Sequence, residues 1–170
     1  MGSFIMETNR LRFRKMNEQD TANLLKIFSD SESMKFYPST KGEEETKQWI
    51  NWMTNHYHAY GIGLWIVEHR ETSEFLGQCG FVLQKLNQRI EAELGYLFVR
   101  DAWGKGYGTE ASLACKNYGF ETLKLSKIVS LIDPENIASS KIAKKLGMSI
   151  ESRIRKWDKE MDVYSVYPLM

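Results

Sequence analysis

An α+β domain built on a mixed, mostly antiparallel sheet is predicted by three features of this chain. From Leu64 to Val99, apolar and alternating segments are broken only at turn-forming residues, the pattern of an antiparallel meander. Amphipathic helical stretches lie on both sides of that block. The segment ending at Val99 then passes through Gly104, Gly106 and Gly108 into a helical pattern, and a further apolar strand follows it. A strand–helix–strand path fits one parallel pair inside the sheet.

Each element has a local reason. Leu11-Arg-Phe-Arg14 alternates and reads as a short first strand. Asn17, with Asp20 three residues on, caps a helix carrying Leu24, Ile27 and Phe28 on one face. Thr40 and Glu43 have the spacing of a capping box. The helix they open aligns Trp49, Met53, Tyr57 and Tyr60 on one stripe, and Gly61 and Gly63 end it. Leu64 to Glu68, Phe75 to Leu86 and Ile90 to Val99 are strands, turning at Thr72-Ser73 and Asn87-Gln88. Gly95 inside the third of these marks a bulge, which splays strands and opens a cleft. Beyond the glycines, Ala111, Ala114, Cys115 and Tyr118 form a stripe suited to close packing on a sheet. Lys127 to Ile132 is a buried strand. Ile137 to Leu146 is a short helix with Ala138, Ile142 and Leu146 on one face, stopped by Gly147. Met148 to Trp157 and Met161 to Tyr167 close the chain as a hairpin.

Bulk properties narrow the function. A chain of 170 residues fits a single domain, 1–170, with a sizeable core. A formal net charge of +1 gives no reason to expect a nucleic-acid or membrane surface. No apolar run approaches the roughly 18 residues of a spanning helix. Cys79 and Cys115 lie in apolar contexts without metal-type spacing, and read as free buried thiols. His56, His58 and His69 have no partners at metal-ligand spacing. The expectation is a cytoplasmic enzyme or binding protein without a metal; a homodimer through sheet edges or the terminal hairpin is compatible with the pattern.

The glycine segment carries the chemistry. Three glycines in five residues at a strand-to-helix junction exceed what one tight turn needs. They let backbone amides approach a ligand, and the helix that follows adds free N–H groups and the positive end of its dipole. Together these form a socket for a pyrophosphate. A Walker-type loop would place Lys and Ser/Thr directly after the last glycine, where this chain has Thr109-Glu110.

This block resembles the acyl-CoA-binding motif of the GNAT superfamily of N-acetyltransferases. Asp133-Pro-Glu-Asn-Ile-Ala-Ser-Ser-Lys-Ile-Ala-Lys-Lys-Leu-Gly-Met148 resembles the second signature of that family, and Trp103-Gly-Lys-Gly-Tyr-Gly-Thr-Glu-Ala111 is similar to its RimJ/RimL branch. The resemblance implies a GNAT-like sheet flanked by helices and splayed at a cofactor cleft. It implies acetyl-CoA as acyl donor, held by Leu97, Phe98, Val99, Trp103, Gly104, Lys105, Gly106, Tyr107, Gly108, Thr109, Asn136 and Ser139. Trp103 replaces the Gln or Arg of many members and removes one phosphate contact.

For the chemistry, Glu93 shares a strand face with Gly95, Leu97 and Val99, in a cleft expected to be walled by Trp65, Tyr96 and Phe98. It reads either as a general base or as a solvated outer-face carboxylate like Glu91. Asn136 and Ser139 match the Asn-x-x-Ser element; Ser139 is placed to protonate the departing sulfur, or both residues simply cap the helix. Many members carry a tyrosine acid where this chain has Ala143, which leaves Ser139, water, Tyr118 or another tyrosine as proton donor. Phe36, Tyr37, Trp49 and Trp65 are the expected acceptor contacts. The implied reaction is acetyl transfer to a primary amine, a ribosomal or other protein N-terminus or a small amine. The alternative is a non-catalytic acyl-CoA sensor.

Overall fold

The computed structural model describes residues 3–169. Its strands are β1 (Met6–Glu7), β2 (Leu11–Arg14), β3 (Leu64–His69), β4 (Phe75–Leu86), β5 (Arg89–Phe98), β6 (Ile128–Ile132), β7 (Ser149–Lys156) and β8 (Lys159–Val166). Its helices are α1 (Thr21–Phe28), α2 (Glu43–Tyr60), α3 (Tyr107–Glu121) and α4 (Ile137–Lys145). The strands form one sheet in the order β1-β2-β3-β4-β5-β6-β8-β7. Every neighbouring pair is antiparallel except β5 and β6, which are parallel and joined through α3.

The meander turns where the sequence places it. Asn87 and Gln88 both have positive φ, 49° and 68°, the backbone of a tight two-residue hairpin whose twist matches its strands. Trp157 and Asp158 repeat this between β7 and β8, at 57° and 60°. The Asn17–Asp20 box closes as expected, but around a short 3-10 turn, Glu18–Asp20, that leads into α1. Before α2 the cap stands two residues later than the Thr40/Glu43 spacing predicts. Gly42 is the N-cap and its N–H donates to the Glu45 carboxylate at 3.2 Å.

Trp49 on α2 donates its Nε1–H to Gln78 of β4 at 3.0 Å, while the adjacent Cys79 lies 3.6 Å from Cys115 on α3. Successive strand residues point to opposite faces, so α2 and α3 cover opposite faces of the sheet. On α3 the buried stripe is Ala111, Ser112, Cys115 and Gly119, with Ala114 and Tyr118 half-buried at its margins. Gly119 is needed there: a Cβ would stand 2.9 Å from Phe81 Cζ and 3.0 Å from Ile128 Cδ1. Two helix-face expectations are corrected. Tyr60 is 59% exposed, its ring lying against His56 one turn back, while Met53 and Tyr57 are buried. Ala138 is exposed, and α4 instead buries Ala143, with Leu146 just past its end.

The expected bulge at Gly95 is absent. The β4–β5 register runs unbroken from Gly77↔Phe98 to Leu86↔Arg89. The cleft arises differently, from the divergence of β5 and β6, which share the single register pair Glu93↔Val129. At the fork the Ser130 hydroxyl donates to the Leu94 carbonyl at 2.8 Å, a side chain standing in for the backbone partner that divergence removes.

Candidate active site

The fork fixes which backbone groups face the cleft. In an antiparallel strand the N–H and C=O of one residue point the same way, and the direction alternates along the strand. Val99 N–H donates to Leu76 of β4, whereas Leu94 C=O faces β6. By alternation the amides of Tyr96 and Phe98 point into the cleft, and those of Leu97 and Val99 point into the β4 ladder. Of the three residues expected to offer strand amides, only Phe98 is so oriented. Its carbonyl already accepts from the Trp103 indole at 2.9 Å, which pins the start of the glycine loop to the end of β5.

Gly104 and Gly106 adopt φ values of 76° and 82°, a region open at little cost only to glycine. Gly108 serves another purpose. It lies in the first turn of α3, where an added Cβ would stand 3.1 Å from Ile142 Cδ1, so its lack of a side chain lets α4 approach the loop. The first bond of the helix is Glu110 N–H to Gly106 C=O, and Gly106 supplies no side-chain cap. Among the described residues, the N–H groups from Gly104 to Thr109 have no protein acceptor. Six consecutive unpartnered amides at a helix N-terminus fit an anionic group such as a diphosphate.

Glu93 is half-buried on the α2 face, accepting from Gln84 Nε2 at 2.8 Å. Burial pushes its carboxyl above the usual carboxylate range, against the smaller opposing effects of Lys156, Gln84 and the Leu131 amide. Tyr37 is 37% exposed overall and packs against Trp157, with ring centroids 5.6 Å apart. Burial and then the Glu93 charge push its phenol up. Phe36 is held through its carbonyl, which accepts from Lys159 Nζ at 3.0 Å; the same ammonium meets Asp133 at 2.6 Å. The loop before α2 is thereby tied to the β7–β8 hairpin above Glu93.

On the other side of the cleft, Asn136 Oδ1 accepts from Ser139 N–H at 3.2 Å and caps α4, leaving the amide hydrogens of Asn136 for a ligand. Ser139 is half-buried, and its hydroxyl lies close enough to the Tyr96 phenol to influence its ionisation. Burial raises that phenol to about 12, with Ser139 opposing.

Trp65 does not belong to this site. It is 0% exposed and packs edge-on against Tyr118 of α3, 5.5 Å between centroids, on the face away from Glu93. Its register partner Cys79 points the same way. It is a core residue and walls no part of the cleft. Trp49 is on the Glu93 face, but its indole is committed to Gln78, level with Leu97. Sequence reasoning missed Gln84, Ser130, Lys156 and Arg10, because their partners are set by register or by contacts between distant segments.

Comparison with known proteins identifies the family. Residues 10–149 match the family described as "Acetyltransferase (GNAT) domain". The chain is 43% identical over 158 residues to the uncharacterized protein YkkB of Bacillus subtilis, covering 92% of each chain. It is 33% identical over 167 residues to the uncharacterized N-acetyltransferase p20 of Bacillus licheniformis, covering 92% of this chain and 91% of that one. An acetyltransferase structure from Agrobacterium tumefaciens superposes with a TM-score of 0.84 at 26% identity, covering 98% and 95% of the two chains. RimL, a ribosomal L7/L12 α-N-protein acetyltransferase solved with coenzyme A, shares the fold at a TM-score of 0.79 and 14% identity, covering 97% and 98%.

Proposed function

Because this chain belongs to the GNAT acetyltransferase family, we propose that it moves the acetyl group of acetyl-CoA directly to a primary amine within a ternary complex. The acceptor is an N-terminal α-amine of a protein or peptide, ribosomal proteins included, or a small amine of comparable basicity, met in the cytoplasm. One observation carries the reading: the unpartnered amides from Gly104 to Thr109 lie beside the fork that opens between β5 and β6. Such amides hold a diphosphate, and the fork accepts the extended arm that leads from it.

Acetyl-CoA supplies an activated acyl group; the protein residues do the rest. The Phe98 N–H, aimed into the fork, hydrogen-bonds the carbonyl oxygen more strongly as negative charge gathers there. Glu93 takes a proton from the acceptor ammonium on the α2 face, and its raised affinity for protons suits that role. Ser139 passes a proton to the departing sulfur and is reprotonated from solvent or from the nearby Tyr96 phenol. Holding donor and acceptor on either side of one strand supplies much of the remaining acceleration.

Acceptor basicity follows from the single carboxylate. An α-amine with a pKa near 8 is roughly one-tenth neutral at pH 7, whereas a lysine amine near 10.4 is neutral far more rarely. Free-thiol release from acetyl-CoA, followed with matched peptides that carry either a free N-terminus or only a lysine amine, tests this. The α-amine peptide should react faster by at least about tenfold. Equal rates, or faster lysine acetylation, would count against the proposed acceptor.

A further inference from the structure

The Lys105–Gly106 peptide is gripped from outside the glycine loop by a residue 95 positions earlier. Arg10, at the turn before β2, donates from Nη1 to the Lys105 carbonyl at 2.8 Å and from Nε to Glu110 Oε1 at 2.7 Å. Its backbone N–H donates to Glu110 Oε2 at 3.0 Å, and the same oxygen accepts from the Thr8 hydroxyl at 2.6 Å. The guanidinium carbon lies 4.4 Å from the centroid of the Tyr107 ring. Burial alone would raise the Glu110 carboxyl, but the bonds from Thr8 and Arg10 outweigh it and hold it low. The guanidinium is therefore held by a carboxylate kept in its charged form and by the Tyr107 ring.

Direction is what this grip controls. No cis peptide is present among the described residues, and in a trans peptide the C=O and the N–H point opposite ways. Anchoring the Lys105 carbonyl toward Arg10 turns the Gly106 N–H away from it, to the side opposite the clamp. This peptide turns on Lys105 ψ and Gly106 φ, and glycine at 106 makes its side of that rotation inexpensive. We propose that Arg10 is a positioning residue for the acyl donor: its guanidinium sets the Lys105–Gly106 peptide so that the Gly106 N–H meets the diphosphate of acetyl-CoA. This rests on the acetyl-CoA reading of the loop.

Two donors separate the possibilities: acetyl-CoA, and S-acetylpantetheine, which lacks the diphosphate. The readout is the ratio of kcat/KM for the two donors with one α-amine peptide, with melting curves alongside. Arg10→Met keeps the stem over Tyr107; Arg10→Lys keeps the charge but cannot reach Glu110 and Lys105 together. Both should cut the preference for acetyl-CoA by about tenfold or more, the worth of one amide bond to an anion. Turnover of S-acetylpantetheine should stay within about twofold, since it makes no such bond. A parallel loss with both donors would reduce Arg10 to a structural brace and overturn the proposal. So would an Arg10→Lys protein with the wild-type preference, because charge alone would then suffice. Should Arg10→Met fail to fold, Arg10→Lys and Glu110→Gln carry the same test. A wild-type protein with no preference for acetyl-CoA would sink the diphosphate reading itself, a result distinct from either variant outcome.

Discussion

Replacing Glu93 with glutamine isolates the proton-accepting step from binding. The amide is isosteric, and its oxygen can still accept from Gln84 Nε2, which stands 2.8 Å from the carboxylate, so the local packing is kept. Only the capacity to take a proton is lost. In the wild-type enzyme an ammonium acceptor can bind and hand its proton to Glu93, so the rate should be flat with pH between the two pKa values. Burial raises the Glu93 carboxyl, so the acid limb of that profile lies above the ordinary carboxylate range. As pH falls through that raised value, Glu93 is protonated and the rate declines. The glutamine variant can use only the fraction of acceptor already neutral. For an α-amine of pKa about 8 that fraction is about one-half at pH 8 and about one-hundredth at pH 6, a change of about fiftyfold. The variant should therefore lose about tenfold at pH 7 and about a hundredfold at pH 6, and climb steeply toward pH 8. Stopped-time thiol assays across this range, with calorimetric titration of CoA, measure both. An unchanged profile with full turnover removes Glu93 from the mechanism, and a parallel loss of CoA affinity assigns it to binding instead.

Other substitutions probe the remaining parts. Gly106→Val places a β-branched residue at φ 82°, at a cost of about 1–3 kcal/mol, and should weaken CoA binding at least tenfold; unaltered affinity by calorimetry would dismiss the loop. Ser139→Ala keeps the backbone N–H that Asn136 caps and deletes only the hydroxyl beside Tyr96, so melting should hold while thiol release slows. Wild-type kinetics there would leave Ser139 a capping residue. His56 joins α2 to the sheet: because Leu83 N–H can only donate, at 3.1 Å, to Nε2, the proton sits on Nδ1 and is given to the Ile62 carbonyl at 2.7 Å. His56→Ala leaves both backbone groups without partners and should cost about 2–4 kcal/mol in urea unfolding; a loss below about 1 kcal/mol would mean that water replaces the ring.

The elements were legible because each rests on short-range rules. Period-two alternation gave the meander, and the turns at Asn87-Gln88 and the stop at Gly61 followed from residues that tolerate positive φ. The helix faces were read less well. Tyr60 and Ala138 satisfy the helical period but are exposed, and periodicity carries no information about where a covering surface lies. Trp65 failed for the opposite reason: a large aromatic beside a cleft strand can face either side of the sheet, and register with Cys79 turned it to the core.

Chain order alone determined the fold family and marked the glycine loop, Glu93 and Ser139 as candidates for the site, because local patterns encode backbone shape and residue type. Tertiary structure decided how the cleft opens, through a fork between β5 and β6 rather than a bulge at Gly95. It also decided which strand amides enter that cleft, and that Arg10 holds the loop from 95 residues away. Those facts depend on registers and on contacts between distant segments. A linear pattern cannot fix them, since hydrogen-bond direction along a strand is set by the neighbouring strand and not by the residues themselves.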